Sequence, residues 1–88
     1  MRNTSAIWLY RWFVRKVDPN PMYGHDRIIE RFDNKEEAIR HASMLTARGR
    51  DGLFVEERRF ASERNLKKDF CFDSHIVWAA WLDNGKEG

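Results

Sequence analysis

The sequence predicts a single small α+β domain, an antiparallel sheet of three or four strands with one principal helix in the order β-β-α-β-β. Three observations carry this. The stretch 33–49 has a helical apolar stripe with a start and a stop signal, and the stretches 27–32 and 53–60 on either side alternate as strands do. The segment 6–17 is rich in Trp, Tyr, Phe, Ile and Val, which favour extended chain. Finally, 88 residues suffice for one domain, 1–88, whose core is one sheet face and one helix.

Along 6–17, Trp8, Tyr10, Trp12 and Val14 fall on one face of a strand, and Ile7, Leu9 and Phe13 fall on the other with Arg11 and Arg15. Apolar residues on both faces predict an interior strand. The segment 18–26 holds two prolines and a glycine among Asp and Asn, which predicts a long hairpin loop. In 27–32, Ile28, Glu30 and Phe32 alternate with Arg27, Ile29 and Arg31. Asp33 followed by Glu36 reads as a capping box at a helix start, and Glu36 and Glu37 suit the positive end of the helix dipole. Ala38, Ile39, Ala42 and Leu45 form the buried stripe, with Arg48 in the last turn and Gly49 where a left-handed cap is wanted. In 53–60, Leu53, Val55 and Glu57 alternate with Phe54, Glu56, Arg58 and Phe60. The polar stretch 61–69 is a loop or a short helix around Leu66. The segment 70–82 supports two readings. Phe70, Phe72, Ile76 and Trp78 alternate as in a strand, the preferred reading, while Asp73 or Ser74 could cap a helix instead. Residues 1–5 and 84–88 are expected to be frayed tails.

The net charge is only +2, from 16 basic and 14 acidic residues, which argues against a dedicated polyanion binder. The run from Ile7 to Val14 is short and broken by Arg11, so it reads as neither signal peptide nor membrane span, and a cytoplasmic location is expected. The lone Cys71 allows no internal disulfide. Cys71 and His75, with Asp73, are too sparse for a metal site or a cysteine nucleophile, so no metal, cofactor or catalytic residue is expected, and no enzyme. Glu36 and Glu37 at the helix start would repel an anion there.

What remains is a binding surface. Four tryptophans and six phenylalanines enlarge a small core, or leave some rings as anchors. One helix covers one face of the sheet. If it covers the face opposite Trp8, Tyr10 and Trp12, these form an exposed aromatic stripe; if it covers their own face, they are core. Glu30 or Glu57 are the expected cross-strand partners of Arg11 and Arg15. The candidate partner-binding residues are Trp8, Tyr10, Trp12, Arg58, Arg59, Arg64, Lys67 and Lys68. They predict a non-catalytic protein acting through protein–protein contact, with homodimerisation through an uncovered sheet face or edge as one form of it. The alternative is a small RNA- or DNA-binding module using an arginine-rich, aromatic sheet face.

The run Phe32-Asp33-Asn34-Lys35-Glu36-Glu37-Ala38, followed by Ala42, Leu45, Gly49 and Val55, resembles a strand–helix–strand pattern of many small prokaryotic and phage domains. It is also similar to half of the sporulation-related repeat, a peptidoglycan-binding domain. No second half follows, so no binding residue is carried over. In size, charge and aromatic richness the chain resembles small phage-encoded inhibitors of host machinery, anti-CRISPR proteins among them. That likeness implies an inhibitor that binds a larger complex.

Overall fold

The computed structural model describes residues 8–17 and 27–85. The elements are β1 (Leu9–Lys16), β2 (Arg27–Phe32), α1 (Lys35–Ala47), β3 (Leu53–Phe60), α2 (Glu63–Lys67), β4 (Asp73–Ala79) and α3 (Ala80–Gly85). The four strands form one sheet in the order β2-β1-β3-β4, and every neighbouring pair is antiparallel. The expected β-β-α-β-β order therefore holds, and β1 is interior as its two apolar faces require. Strands β2 and β3 run in the same direction with β1 between them, so α1 is the crossover that joins them. Among the described residues, no helix is long and apolar enough to cross a membrane.

Helix α1 lies on the face that carries Trp12 and Val14. Val14, Val55, Ala38 and Ala42 are fully buried between helix and sheet, and Trp12, Ile29, Phe32, Ile39, Val77 and Trp78 pack around them. The two alanines are what let the helix axis come close to the strands, because any larger side chain there would push it away.

Several local details differ from the sequence reading. The N-cap of α1 is Asn34, whose side chain accepts a hydrogen bond from the Glu37 backbone N–H at 3.0 Å. Asp33 instead pairs with Arg11 at 3.3 Å, so the cap sits one residue later than the Asp33–Glu36 spacing suggested. At the other end Arg48 is the C-cap, and Gly49 follows at φ +101, the left-handed conformation expected of it.

Strand β1 begins at Leu9; Ala6 and Ile7, expected in the strand, lie outside the described residues, as does the expected loop 18–26. Both edge strands are bulged. Val14 pairs with Glu30 but Arg15 pairs with Ile28, which leaves Ile29 as the extra residue. Ile29 therefore packs on the core while Ile28 is exposed, the reverse of strict alternation. Val77 is the extra residue of β4 in the same way, and both it and Trp78 reach the core.

The preferred strand reading of 70–82 holds for Asp73–Ala79, with Phe70 and Phe72 preceding the strand and α3 following it. Helix α3 also takes in residues 84 and 85, which were expected to belong to a frayed tail; residues 1–5 and 86–88 lie outside the described set. The 61–69 stretch contains the short α2, capped by Ser62 accepting from Asn65 N–H at 3.2 Å.

The cap assignment makes a test. Asn34→Ala is expected to cost about 1 kcal/mol in a urea melt. Asp33→Ala removes only an ion pair whose acid is 84% exposed, so it costs less than about 0.5 kcal/mol. The reverse order of costs would place the cap on Asp33.

Candidate functional site

Adjacent strand residues point to opposite faces, so the sheet sorts the predicted site residues by parity. The register Tyr10↔Arg59 and Trp12↔Glu57 puts these four on the helix face. The register Arg11↔Arg58 and Phe13↔Glu56 puts those four on the far face.

On the far face the charges interlock. One oxygen of Glu56, Oε1, accepts from Arg15 Nη1 at 2.9 Å and from Arg58 Nε at 3.1 Å. Arg58 Nη1 also donates to both carboxylate oxygens of Asp69, at 3.0 and 3.1 Å. Its guanidinium lies 4.2 Å over the Phe13 ring, and that of Arg15 lies 5.8 Å from the Phe54 ring centre. Asp69 reaches Arg58 from a left-handed backbone position, φ 58. Arg11 turns to Asp33 and Arg15 to Glu56, so neither takes the Glu30 or Glu57 partner expected from the sequence.

Burial pushes the Glu56 carboxyl up, but the Arg15 hydrogen bond, the Arg58 charge and a hydrogen bond from Ser74 outweigh it and hold it below the ordinary carboxylate value. For Arg58, burial works to lower the value, and the Glu56 and Asp69 charges and hydrogen bonds overcome it and raise it. The network thus serves as a lid on Phe13 and Phe54, two rings that a second helix would cover in a larger domain.

The helix face looks different beyond the helix. Phe32, which leads into α1, pairs with Trp12, so the helix starts at that level and leaves the Trp8–Tyr10 end of β1 uncovered by it. Tyr10 and Trp12 lie nearly parallel, with ring centres 6.0 Å apart and planes 15° from one another. Trp12 Nε1 donates to Glu57 Oε2 at 2.9 Å, and His75 Nε2 lies 3.3 Å from Glu57 Oε1. Arg59 lies 4.2 Å over the Trp8 ring and 5.2 Å from the Phe72 ring centre, while the Trp8 and Phe72 rings themselves are 5.1 Å apart. Asp73 grips Arg59 through both oxygens, at 3.1 and 2.6 Å, and this hydrogen bond is the main reason the guanidinium is held above its usual value.

Of the eight predicted residues, Trp8, Tyr10, Trp12 and Arg59 are therefore brought together. Trp8 and Tyr10 are half-buried, and Trp12 is shared between the surface cluster and the core. Arg58 is on the opposite face, committed to Glu56 and Asp69. Arg64 and Lys67 lie on α2, with Lys68 as its C-cap. Lys67 helps line an open polar groove of ≈ 380 Å³ on the far face, with Arg11, Arg31 and Leu66 among its walls. The sequence reading did not single out Phe72, Glu57, Asp73 or His75 as site residues. The alternation that placed Glu57 with Leu53 and Val55 was the available signal for the first, and the others depend on the β3–β4 register. Among the described residues, no group of His, Cys, Asp and Glu is placed to hold a metal ion.

The fold and cluster define a small α+β domain with an aromatic–arginine surface. The chain matches no family model, no curated protein and no solved structure.

The ion network makes a pH prediction. Because the folded value of Glu56 is depressed, its contribution is complete above the unfolded carboxylate value of about 4.3 and is lost as pH falls through the lower folded value. Glu56→Gln is expected to lower stability by about 1–2 kcal/mol at pH 7. In urea melts the gap to wild type should close as the pH drops below about 4. A gap that stays constant down to pH 2 would show that Glu56 does not act through its charge.

Proposed function

We propose that the protein is a non-catalytic binding module that acts through protein–protein contact at the uncovered end of its helix face. The observation that carries this is the held cluster of Trp8, Tyr10, Trp12, Phe72 and Arg59. Trp, Tyr and Arg are the side chains that dominate the energetics of protein interfaces. Here they are fixed before any partner arrives, Arg59 by Asp73 and Trp12 by Glu57, so little side-chain entropy remains to be lost on binding. Phe72 is 65% exposed although it touches Trp8, a large apolar surface left to water beside preset polar groups.

The contact is made by a face in this reading and not by an edge. Both edge strands are bulged, which discourages strand addition, and β2 also carries Arg27, Glu30 and Arg31 among its six residues. A second copy of the chain would accordingly dock on the aromatic face if the protein pairs with itself. The resemblance to small phage inhibitors extends the proposal to occlusion of a surface on a larger complex.

A second reading, a small nucleic-acid-binding module, draws on Arg64, Lys67 and Lys68, which make no ion pair among the described residues. It predicts retention of RNA or DNA at low salt that falls steeply as salt rises, and no retention at low salt would end it.

The protein-contact reading predicts that Trp8→Ala and Tyr10→Ala weaken capture of a partner about 30-fold or more, as interface anchors do, with thermal melts close to wild type. Met44→Ala, on an exposed part of α1, should leave capture unchanged. Trp12→Ala is expected to lose about 2–4 kcal/mol of stability as well, because its ring packs on the core. Equal capture by wild type and both stable variants would refute the site.

A further inference from the structure

The uncovered end of the helix face has an unbalanced charge. Among the carboxylates whose side chains are described, only Glu56 and Glu57 are not exposed. They are consecutive residues on opposite faces of β3, and their surroundings differ sharply. Glu56 has two guanidiniums, Arg15 and Arg58. Glu57, with its side chain 15% exposed, has none among the described residues: its partners are the Trp12 indole N–H and His75, a cation only when protonated. Arg59, on that face, is engaged by both oxygens of Asp73 and by the Tyr10 side chain. The first turn of α1 begins at this end and adds Lys35, Glu36 and Glu37, all exposed, for a further excess of one acid.

A half-buried carboxylate beside aromatic rings loses hydration, and a cation is the group that compensates it best. The protein already contains the finished arrangement one register step away. There Arg59 lies over Trp8, 5.2 Å from the Phe72 ring centre, and is held by Asp73. At the Tyr10–Trp12 step the two rings and the carboxylate are present and Arg59 reaches across to the Tyr10 side chain, but among the described residues no guanidinium pairs with Glu57.

We propose that this step receives an arginine side chain from a basic segment of a protein partner, its guanidinium paired with Glu57 and lying against the Tyr10 and Trp12 rings. Ring faces of Trp and Tyr attract such cations, and the pairing is stronger where water is partly excluded. The inference rests on the protein-contact reading and names its chemistry. It also sets the face apart from nucleic acid, whose phosphates would meet the Glu57 carboxylate.

The test uses the full chain and a hexa-arginine peptide, followed by NMR signals of the Trp12 indole N–H and the backbone of Tyr10 and Glu57. The expected result is saturable shifts centred on these groups. A hexa-citrulline peptide, which keeps the shape and lacks the charge, should bind at least ten-fold more weakly. Glu57→Gln keeps an acceptor for Trp12 and should lower hexa-arginine affinity at least ten-fold with an unchanged melt. Glu63→Gln, on α2, should have no effect. If Glu57→Gln fails to fold, Tyr10→Ala serves in its place, with a several-fold loss expected. Citrulline binding as well as arginine, shifts centred on other acids, or full affinity in the folded Glu57→Gln variant would each overturn the proposal. A partner lost by Trp8→Ala but indifferent to Glu57→Gln would end this inference and leave the protein-contact reading intact. Arginine binding at Glu57 with no partner sensitive to Trp8→Ala would end the protein-contact reading and, with it, the partner assigned to this step.

Discussion

One helix has to cover a sheet wider than itself. A helix is roughly 10 Å across, while four strands span roughly 15 Å between the outermost axes. Helix α1 is also confined by its cap at Asn34 and its stop at Gly49, so it shields the Val14–Val55 half of one face and little else. Everything unusual in the rest of the molecule follows from that shortfall. The far face has only the short α2 and α3 near it, and guanidiniums lie on its rings. The remaining end of the helix face keeps its aromatics partly in water.

The arginines show how charge can replace a second layer. A guanidinium stacks flat on a ring and donates in its own plane, so it covers apolar surface while its hydrogen bonds are met sideways. Arg58 does both, over Phe13 and towards Glu56 and Asp69. Such pairs earn little when fully solvated, but these side chains are mostly withdrawn from water, and Glu56 binds two of them through one oxygen. Arg15 and Arg58 therefore act as internal cement.

The legible parts of the fold are those set by local chemistry. The bounds of β2 and β3 follow from alternation closed off by Asp26, Asp33, Gly52 and Ala61, and α1 follows from its small-residue stripe and the glycine after it. The cap was displaced by one residue because Asp33 and Asn34 are equally good caps, and the choice turned on Arg11, which is distant in sequence. The bulges at Ile29 and Val77 and the short α3 were not legible, since each depends on how an edge strand meets the core. For the site, parity alone separates Arg58 from Arg59, and it groups Trp8, Tyr10 and Trp12. Whether that group faced the helix was open, and the answer is split: Trp12 goes into the core while Trp8 and Tyr10 lie beyond the helix end. Asp73 and His75 needed the β3–β4 register, which no local pattern in 70–82 encodes.

The pair Glu56–Glu57 condenses the relation between stability and the proposed binding in this chain. The two residues have the same chemistry, adjacent positions and similar burial. Glu56 is saturated by guanidiniums from its own sheet, so its charge is spent on the fold. Glu57 is held by a neutral indole N–H that fixes its direction, and by His75, which offsets its charge only when protonated. A structure under pressure to bury apolar area with few residues had cations to spare on the other side of the same strand, yet its alternation cannot deliver Arg58 to Glu57. Arg59, on the correct face, is held by Asp73 and Tyr10 instead. That Glu57 has no guanidinium among the described residues is thus a consequence of strand geometry, and its carboxylate lies where the helix ends and the aromatic rings begin.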